Sequence, residues 1–516
     1  MSLLRAVATV GGYTMISRVT GFARDVLIAS ILGAGPVADA FFVAFKLPNF
    51  FRRITAEGAF TIAFVPLFSK ILQKEGRCSA MTFAEEALAL LAAILLTFSV
   101  AAIVSMPVLM LLIAPGFAET PWRFNLSIEL TRTTFVYLPL ISLVALLGGI
   151  LNSIGKFAAM ASAPILLNLV LISSLAFFAD AMQTPGHVLA VAVAISGFAQ
   201  AAWLFEACRR ANALPKFRLP RMTPRMKELM HLMLPAILGA GVVQINLLVD
   251  IILASTLPTG SVSFLYYADR INQLPLGVIG IAIGTALLPR LSKYIQAEEN
   301  EAARQSQDKA LEIGMLLTFP ATIGLLVLSD PIVTLLFYRG AFSLESVGAT
   351  SLALVFYSTG LPAFMAIKVL QPSFFARHDT ATPVKIAGAM VLVNLALNLL
   401  LMPHFAHVGL AMATAISAWF NAVLLCLTLK NKQFHSVGQT TWRKIGLIII
   451  ASLVMGLGLS GLQEFFPVFA LGTGLIAASV LVFLITIGFF IYAVSILLFR
   501  VVRPMNIRKE LKSWFH

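Results

Sequence analysis

Residues 18–57 read RVTGFARDVLIASILGAGPVADAFFVAFKLPNFFRRITAE. Arg18, Arg24, Asp25, Asp39, Lys46, Arg52, Arg53 and Glu57 stand here in sequence otherwise apolar enough to cross a membrane. An Arg or Asp at the centre of a spanning helix costs roughly 2.5 to 3.5 kcal/mol on insertion scales unless it faces water or a partner. So much charge at that depth implies a water-filled cavity suited to an anionic group. Arg18 and Asp25, seven residues apart, fall on nearly the same helix face, with Arg24 turned about 120° away. Gly21 between them permits close approach.

The breaker cluster Gly33-Ala34-Gly35-Pro36 ends the first helix. A second, about Val37 to Lys70, is too long for one straight span, so Pro48 and Gly58 are expected to bend or break it. Arg52 then lies roughly 22 Å from the outer end, at 1.5 Å per residue, and should face the protein interior. Arg53 points elsewhere, with Glu57 one turn on as its i,i+4 partner.

The rest of the chain supplies the membrane. Of 516 residues, 59% are hydrophobic and 12% charged, and the mean hydropathy is +0.92. With about 20 apolar residues per span, the runs separate into about fourteen segments, which leaves no room for a separate catalytic domain. The class is an all-α polytopic membrane protein. The net charge of +14 follows the positive-inside rule, without nucleic acid as a partner. Basic residues collect in alternate loops, at 70–77, 209–227, 290–309, 430–444 and the tail 500–512, which places both termini in the cytoplasm. Cys78, Cys208 and Cys426 fall near cytoplasmic helix ends, and no disulfide is expected there. The first helix reads as a permanent span, not a signal peptide.

The pattern restarts after the Pro-rich basic segment 209–227. Ala63-Phe-Val-Pro66-Leu-Phe-Ser-Lys70 returns as Ala286-Leu-Leu-Pro289-Arg-Leu-Ser-Lys293, 223 residues later. Pro164 matches Pro383 at 219, and Ser196 matches Ser417 at 221. Six helices per repeat is an even number, so the halves insert with the same orientation, as parallel repeats with the substrate site between lobes. The expected organisation is an N-lobe over 1–214, a C-lobe over 215–432, and a further helix pair with a basic tail over 433–516. In the second repeat, Asp269-Arg270 stands near the place of Lys46, and Arg270 is a fourth intramembrane arginine.

Catalytic signatures are missing from the sequence. The nearest approach to a phosphate loop, Gly149 to Gly155-Lys156, has Phe157 where Ser or Thr is needed. No HExxH, DDxxD or comparable metal spacing occurs. The reading is a transporter, not an enzyme, with no required cofactor. Guanidinium forks bind the oxygens of an anionic group bidentately and keep their charge when partly desolvated, which suits Arg18, Arg24, Arg52 and Arg270. Asp25 and Asp39 are expected to orient arginines or gate the outer side.

Ser17-Arg18-Val-Thr-Gly21-Phe-Ala-Arg24-Asp25, Asp39-Ala-Phe-Phe-Val-Ala-Phe-Lys46-Leu-Pro48-Asn49, Arg52-Arg53-Ile-Thr-Ala-Glu57-Gly58-Ala-Phe60 and Tyr266-Tyr-Ala-Asp269-Arg270 resemble the MurJ/MviN family of lipid II flippases, within the multidrug/oligosaccharidyl-lipid/polysaccharide exporter superfamily. The resemblance implies fourteen helices, a cationic central cavity, and a groove formed by the last two helices. It implies functional importance for Arg18, Arg24, Arg52, Arg270 and Asp39, with Lys46, Asn49, Arg53, Glu57 and Asp269 in support. It also implies a possible Na+ site at Asp250, Asn394, Asn398 and Thr414, although Asn398 stands where a carboxylate may occur in the family. Lipid II would be the substrate, membrane lipids and other cell-wall synthesis proteins the partners, and the bacterial cytoplasmic (inner) membrane the location. The alternative is another polyprenyl-linked oligosaccharide, or drug export coupled to an ion. A drug exporter, however, should have an acidic cavity.

Overall fold

The computed structural model describes residues 3–466 and 474–501; side chains at 3–8, 56–57, 238–240, 242–243, 278–279, 281–282 and 285–286 are outside the description. The side chain of Glu57 and the tail beyond 501 therefore lie outside the described residues. Every regular element among the described residues is helical.

In the first half these are α1 (Leu3–Leu32), α2 (Pro36–Ile54), a π-helical turn (Thr55–Phe60), α3 (Thr61–Val104), α4 (Met106–Ile113), α5 (Pro121–Phe135), α6 (Tyr137–Ser153), α7 (Ala158–Phe178) and α8 (Pro185–Arg210). The second half holds α9 (Pro224–Ser255), α10 (Ser261–Gln296), α11 (Asn300–Val327), α12 (Ser329–Phe337), α13 (Leu344–Thr359), α14 (Leu361–Phe375), α15 (Ala381–Asn431), α16 (Gln439–Phe465) and α17 (Leu475–Leu498). Among the described residues nine segments are long and apolar enough to cross a membrane. Two of them are interrupted, at Gly76 (φ +84) and Ala406 (φ +48), so each is a pair of helices. Outside those nine segments, α1, α9 and α10 have 30, 32 and 36 residues.

The chain divides into two compact units, Met1–Ser263 with Gly340–Phe342, and Phe264–Arg339 with Ser343–His516. This division differs from the repeat boundary at 214/215, because α9 packs on α2, α3 and the π turn of the first unit. The expected break in the second helix is replaced by the π turn. It holds Gly58 and carries the chain from α2 into α3 without leaving the helical path. Pro48 sits inside α2 without ending it.

The first unit's core is aromatic. Phe60, Phe64 and Phe68 recur at i+4 and are buried; Phe64 stacks on Phe60 at 4.9 Å and on Phe83 at 5.5 Å. The segment Gly340–Phe342 is held by Ala341 N donating to Ser30 O at 2.8 Å. Gly33 (φ +64) and Gly340 (φ +58) face each other across it, and a methyl on either would overlap the opposing carbonyl oxygen. In the second unit, Leu287 and Leu291 of α10 pack with Leu311 and Met315 of α11, Val369 and Phe374 of α14, and Leu425 and Leu429 of α15. Around the outside, Leu457, Leu475, Phe489, Phe490 and Leu498 are all exposed by two thirds or more of their surface. Such a surface is tolerable only against lipid.

The basic segment after α8 is not a loose linker. Glu85 accepts from Lys216 N at 3.2 Å and pairs with Arg218 at 2.6 Å. Glu86 accepts from the Thr223 hydroxyl at 2.8 Å, and Arg225 pairs with Glu75 at 2.6 Å. The second unit repeats the device: Asp308 accepts from Gly438 N at 3.1 Å and lies 3.1 Å from His435 Nε2. Glu85 and Asp308 are 223 residues apart, the interval that separates Pro66 from Pro289.

Candidate functional site

On α1, the Arg24 guanidinium curls back to its sequence neighbour. Nε and Nη2 both donate to Asp25 Oδ1, at 3.0 and 2.7 Å, and Nη1 donates to Asn168 Oδ1 at 2.9 Å. Asn168, on α7, returns its amide protons to Ser17 O at 3.0 Å and the Thr20 hydroxyl at 3.1 Å. Close passage of α7 at this point depends on Gly21, where a side chain would press on the Asn168 amide. Arg24 and Asp25 are thus buried together, 7% and 3% exposed at the side chain. Asp25 is bonded to Arg24, which helix spacing alone turns away from the Arg18/Asp25 face. A long side chain and a third group on another helix overcome the rule that i,i+1 neighbours do not face each other. Arg18, half-buried one and a half turns earlier, makes no hydrogen bond or ion pair among the described residues. An aromatic ring, Phe45, lies 5.7 Å from the Arg24 guanidinium carbon.

At the start of α2, Asp39 is fully buried and saturated with donors. Oδ2 accepts from Arg123 Nη2 at 2.6 Å and Gly260 N at 2.7 Å; Oδ1 accepts from Ser263 N at 2.9 Å and Ser263 Oγ at 2.6 Å. It caps the N-terminus of α10 in the way an N-cap carboxylate caps its own helix. The Arg123 guanidinium carbon lies 3.8 Å from the centroid of the Phe117 ring.

Farther along α2, Pro48 has no N–H to give Ala44 O, and the Thr134 hydroxyl of α5 donates there instead at 2.8 Å. Asn49 turns its amide onto Phe45 O of its own helix at 2.7 Å. Lys46 and Arg52 are half-buried, while Arg53 is exposed; its expected partner Glu57 is outside the description. The first unit therefore assembles Arg24, Asp25 and Asn168 at one locus and Asp39 with Arg123 at another. Asp250 is half-buried on α9.

In the second unit Arg270 folds over Tyr266, its guanidinium carbon 4.7 Å from the ring centroid and Nη2 donating to the phenol oxygen at 3.1 Å. Asp269 accepts from Gln273 one turn on. Asn398 donates to Asn394 Oδ1 at 3.0 Å, and Asn394 lies 3.4 Å from Ser417 Oγ. The Thr414 hydroxyl is turned onto Leu410 O at 2.9 Å. No group of three or more His, Cys, Asp or Glu side chains fit to hold a metal ion occurs among the described residues.

Reading the sequence alone missed Arg123, Asn168 and Lys368. Lys368 of α14 lays its stem across Gly280 of α10, where a methyl would meet its Cδ at 2.8 Å. Asn168 and Lys368 are polar residues inside apolar runs, which is itself the signal for an intramembrane functional group. Arg123 stands among other polar residues, and its signal is different: a cation in the first turn of a helix is at the wrong end of the helix dipole.

A family model described as lipid II flippase MurJ matches residues 28–497. A probable lipid II flippase MurJ of Rhizobium meliloti (strain 1021) is 44% identical over 464 residues, 89% of this chain and 86% of the relative. One from Haemophilus influenzae is 37% identical over 457 residues, 86% of this chain and 89% of the relative. A solved lipid II flippase MurJ in an inward closed conformation superposes with a TM-score of 0.79 at 25% identity, covering 95% of this chain and 98% of that one. An inward-facing multidrug resistance MATE family transporter of the MOP superfamily gives 0.70 at 15% identity, covering 83% and 98%, a likeness of fold alone. By its sequence and by its fold, the chain belongs to the MurJ family of lipid II flippases.

Proposed function

We propose that the chain moves lipid II, the undecaprenyl-diphosphate-linked peptidoglycan precursor, from the inner to the outer leaflet of the bacterial cytoplasmic membrane by alternating access, with both termini cytoplasmic. It works as a transporter and not as a catalyst. Family membership supplies the substrate class. The observation that carries the chemistry is the Arg24–Asp25–Asn168 arrangement, a guanidinium fixed at three points inside apolar helices. A charge so expensive to bury is retained for an anionic ligand.

Arg18, Arg52 and Arg270, half-buried, are the arginines open enough in this structure to meet a diphosphate directly. Arg24, nearly enclosed, contributes field and is presented by a shift of its Asp25 and Asn168 partners. The polyprenyl tail stays in lipid along the apolar outer faces of α16 and α17 while the sugar-peptide head crosses. Asn394, Asn398 and Thr414, all in the second unit, offer oxygen ligands of the kind a hard cation such as Na+ takes, so transport is proposed to be sodium-linked.

Reconstitution with defined lipid II in liposomes is the test. Arg52→Ala and Arg270→Ala should each lower transport about ten-fold or more, the range of a lost charge-assisted hydrogen bond, with membrane insertion intact. Transport at wild-type rates in both variants would refute the diphosphate role. Sodium-independent transport, or an unaltered sodium response in Asn394→Ala, would remove the cation from the mechanism.

A further inference from the structure

Asp39 accepts one bond from Arg123 and three from the start of α10. Arg123 is the third residue of α5, where the helix N-terminus disfavours a cation, so its partner and not its own helix sets its place. Only Nη2 engages Asp39; Nε is buried and has no acceptor among the described residues. Guanidinium and carboxylate commonly meet through two parallel N–H···O bonds. Here the second bond is withheld because Ser263 N and Oγ already occupy Oδ1. The Phe117 ring under the guanidinium restricts it to one plane.

We propose that Arg123 is the positioning residue of an outer latch, with its idle Nε in reserve. Docked, Asp39 holds the N-terminus of α10 with both oxygens. When that N-terminus withdraws, Asp39 exchanges the three α10 donors for a second bond, from Arg123 Nε to Oδ1, and a buried carboxylate is never left alone. The proposal rests on the alternating-access reading above. It has a consequence of definite sign: removing Arg123 strands Asp39 only in the undocked state, because the docked state keeps three donors. Loss of Arg123 therefore holds the latch shut. A pair that merely braced the closed structure would do the opposite.

The test places a cysteine at Val262, 2% exposed when docked, in a background with Cys78, Cys208 and Cys426 replaced. Its labelling by a membrane-impermeant maleimide reports withdrawal of the α10 start. Arg123→Gln should slow labelling about ten-fold or more, as expected when a buried charge loses its only remaining partner. Asp39→Asn should speed it, and the double variant Asp39→Asn/Arg123→Gln should return it to the wild-type rate or above. Arg123→Lys keeps the charge but not the fork and should fall between wild type and Arg123→Gln. Labelling in Arg123→Gln that is unchanged or faster overturns the proposal. If that variant does not accumulate, Arg123→Lys decides, and labelling as fast as wild type overturns it. Lipid II transport by the wild type is followed in parallel. Its absence alongside the expected labelling pattern would sink the flippase reading and leave the latch standing.

Discussion

Pro48 deprives the Ala44 carbonyl of its intrahelical donor, and the Thr134 hydroxyl, which also lies 3.1 Å from Thr131 O, takes that position at 2.8 Å. The carbonyl is inside an apolar helix packing, where an unmet acceptor costs about 1 to 3 kcal/mol. Thr134→Val should therefore lower the melting temperature in detergent, by an amount corresponding to about 1 to 3 kcal/mol. Pro48→Ala restores the missing N–H, so Thr134→Val in that background should cost much less. Additive losses would show that the hydroxyl serves something else. The same scale explains what the sequence withheld. That Arg24, Asp25 and Asp39 were singled out follows from the cost of charge in apolar sequence. Their partners Asn168 and Arg123 lie 144 and 84 residues away, and no spacing rule reaches that far. The Arg24–Asp25 contact itself was hidden because helix geometry alone separates adjacent side chains by about 100°.

Helix positions were legible where an apolar run ends at Gly and Pro, as at Gly33–Pro36 between α1 and α2. Whether Gly58 would break the helix or bend it was not, because that choice goes with packing beyond the turn, where Phe64 stacks on Phe60 and on Phe83 farther along α3. The turn at Ala406 shows the reverse conflict: a non-glycine residue at φ +48 joins the two arms of α15. With ψ at −130° the residue lies outside the left-handed helical well, in a region that costs an L-residue about 1 to 3 kcal/mol, so Ala406→Gly should raise thermal stability by up to about 2 kcal/mol, after the extra unfolded-state entropy of glycine is deducted. A lowered melting temperature would show that the Ala406 methyl group is needed. Just before α15, Asp379 is drawn down to about 2 by hydrogen bonds from Lys432 and Thr382. A carboxylate depressed on folding stabilises above its unfolded pKa, about 3.9, and that contribution disappears as pH falls towards 2. Asp379→Asn should therefore flatten the stability profile between about pH 4 and pH 2 and leave its shape from pH 5 to 8 unchanged. A profile altered only near neutrality would refute this.

At the scale of the whole chain, the duplication inferred from three sequence anchors gains a fourth that no motif comparison would weight. Glu85 and Asp308 differ in type, and their cationic neighbours, Arg218 and His435, differ as well. They do the same work, each accepting a backbone N–H from the connector that follows its unit's last repeat helix. The lone acids were unreadable as a pair because they match in role and not in residue type. If both units descend from one six-helix ancestor, an even number of crossings separates equivalent positions, and both connectors face the same side of the membrane. An inverted repeat would place them on opposite sides. Cys78 is exposed, and Glu301, 223 residues later, is exposed as well. An impermeant maleimide should therefore label Cys78 and, with Cys78 replaced, a Glu301→Cys variant from the same side. That side should be the cytoplasmic one, where the basic connectors predict the positive-inside face. Labelling of the two from opposite sides would mean that the repeats are inverted, and the shared role of Glu85 and Asp308 would then be convergence, not descent.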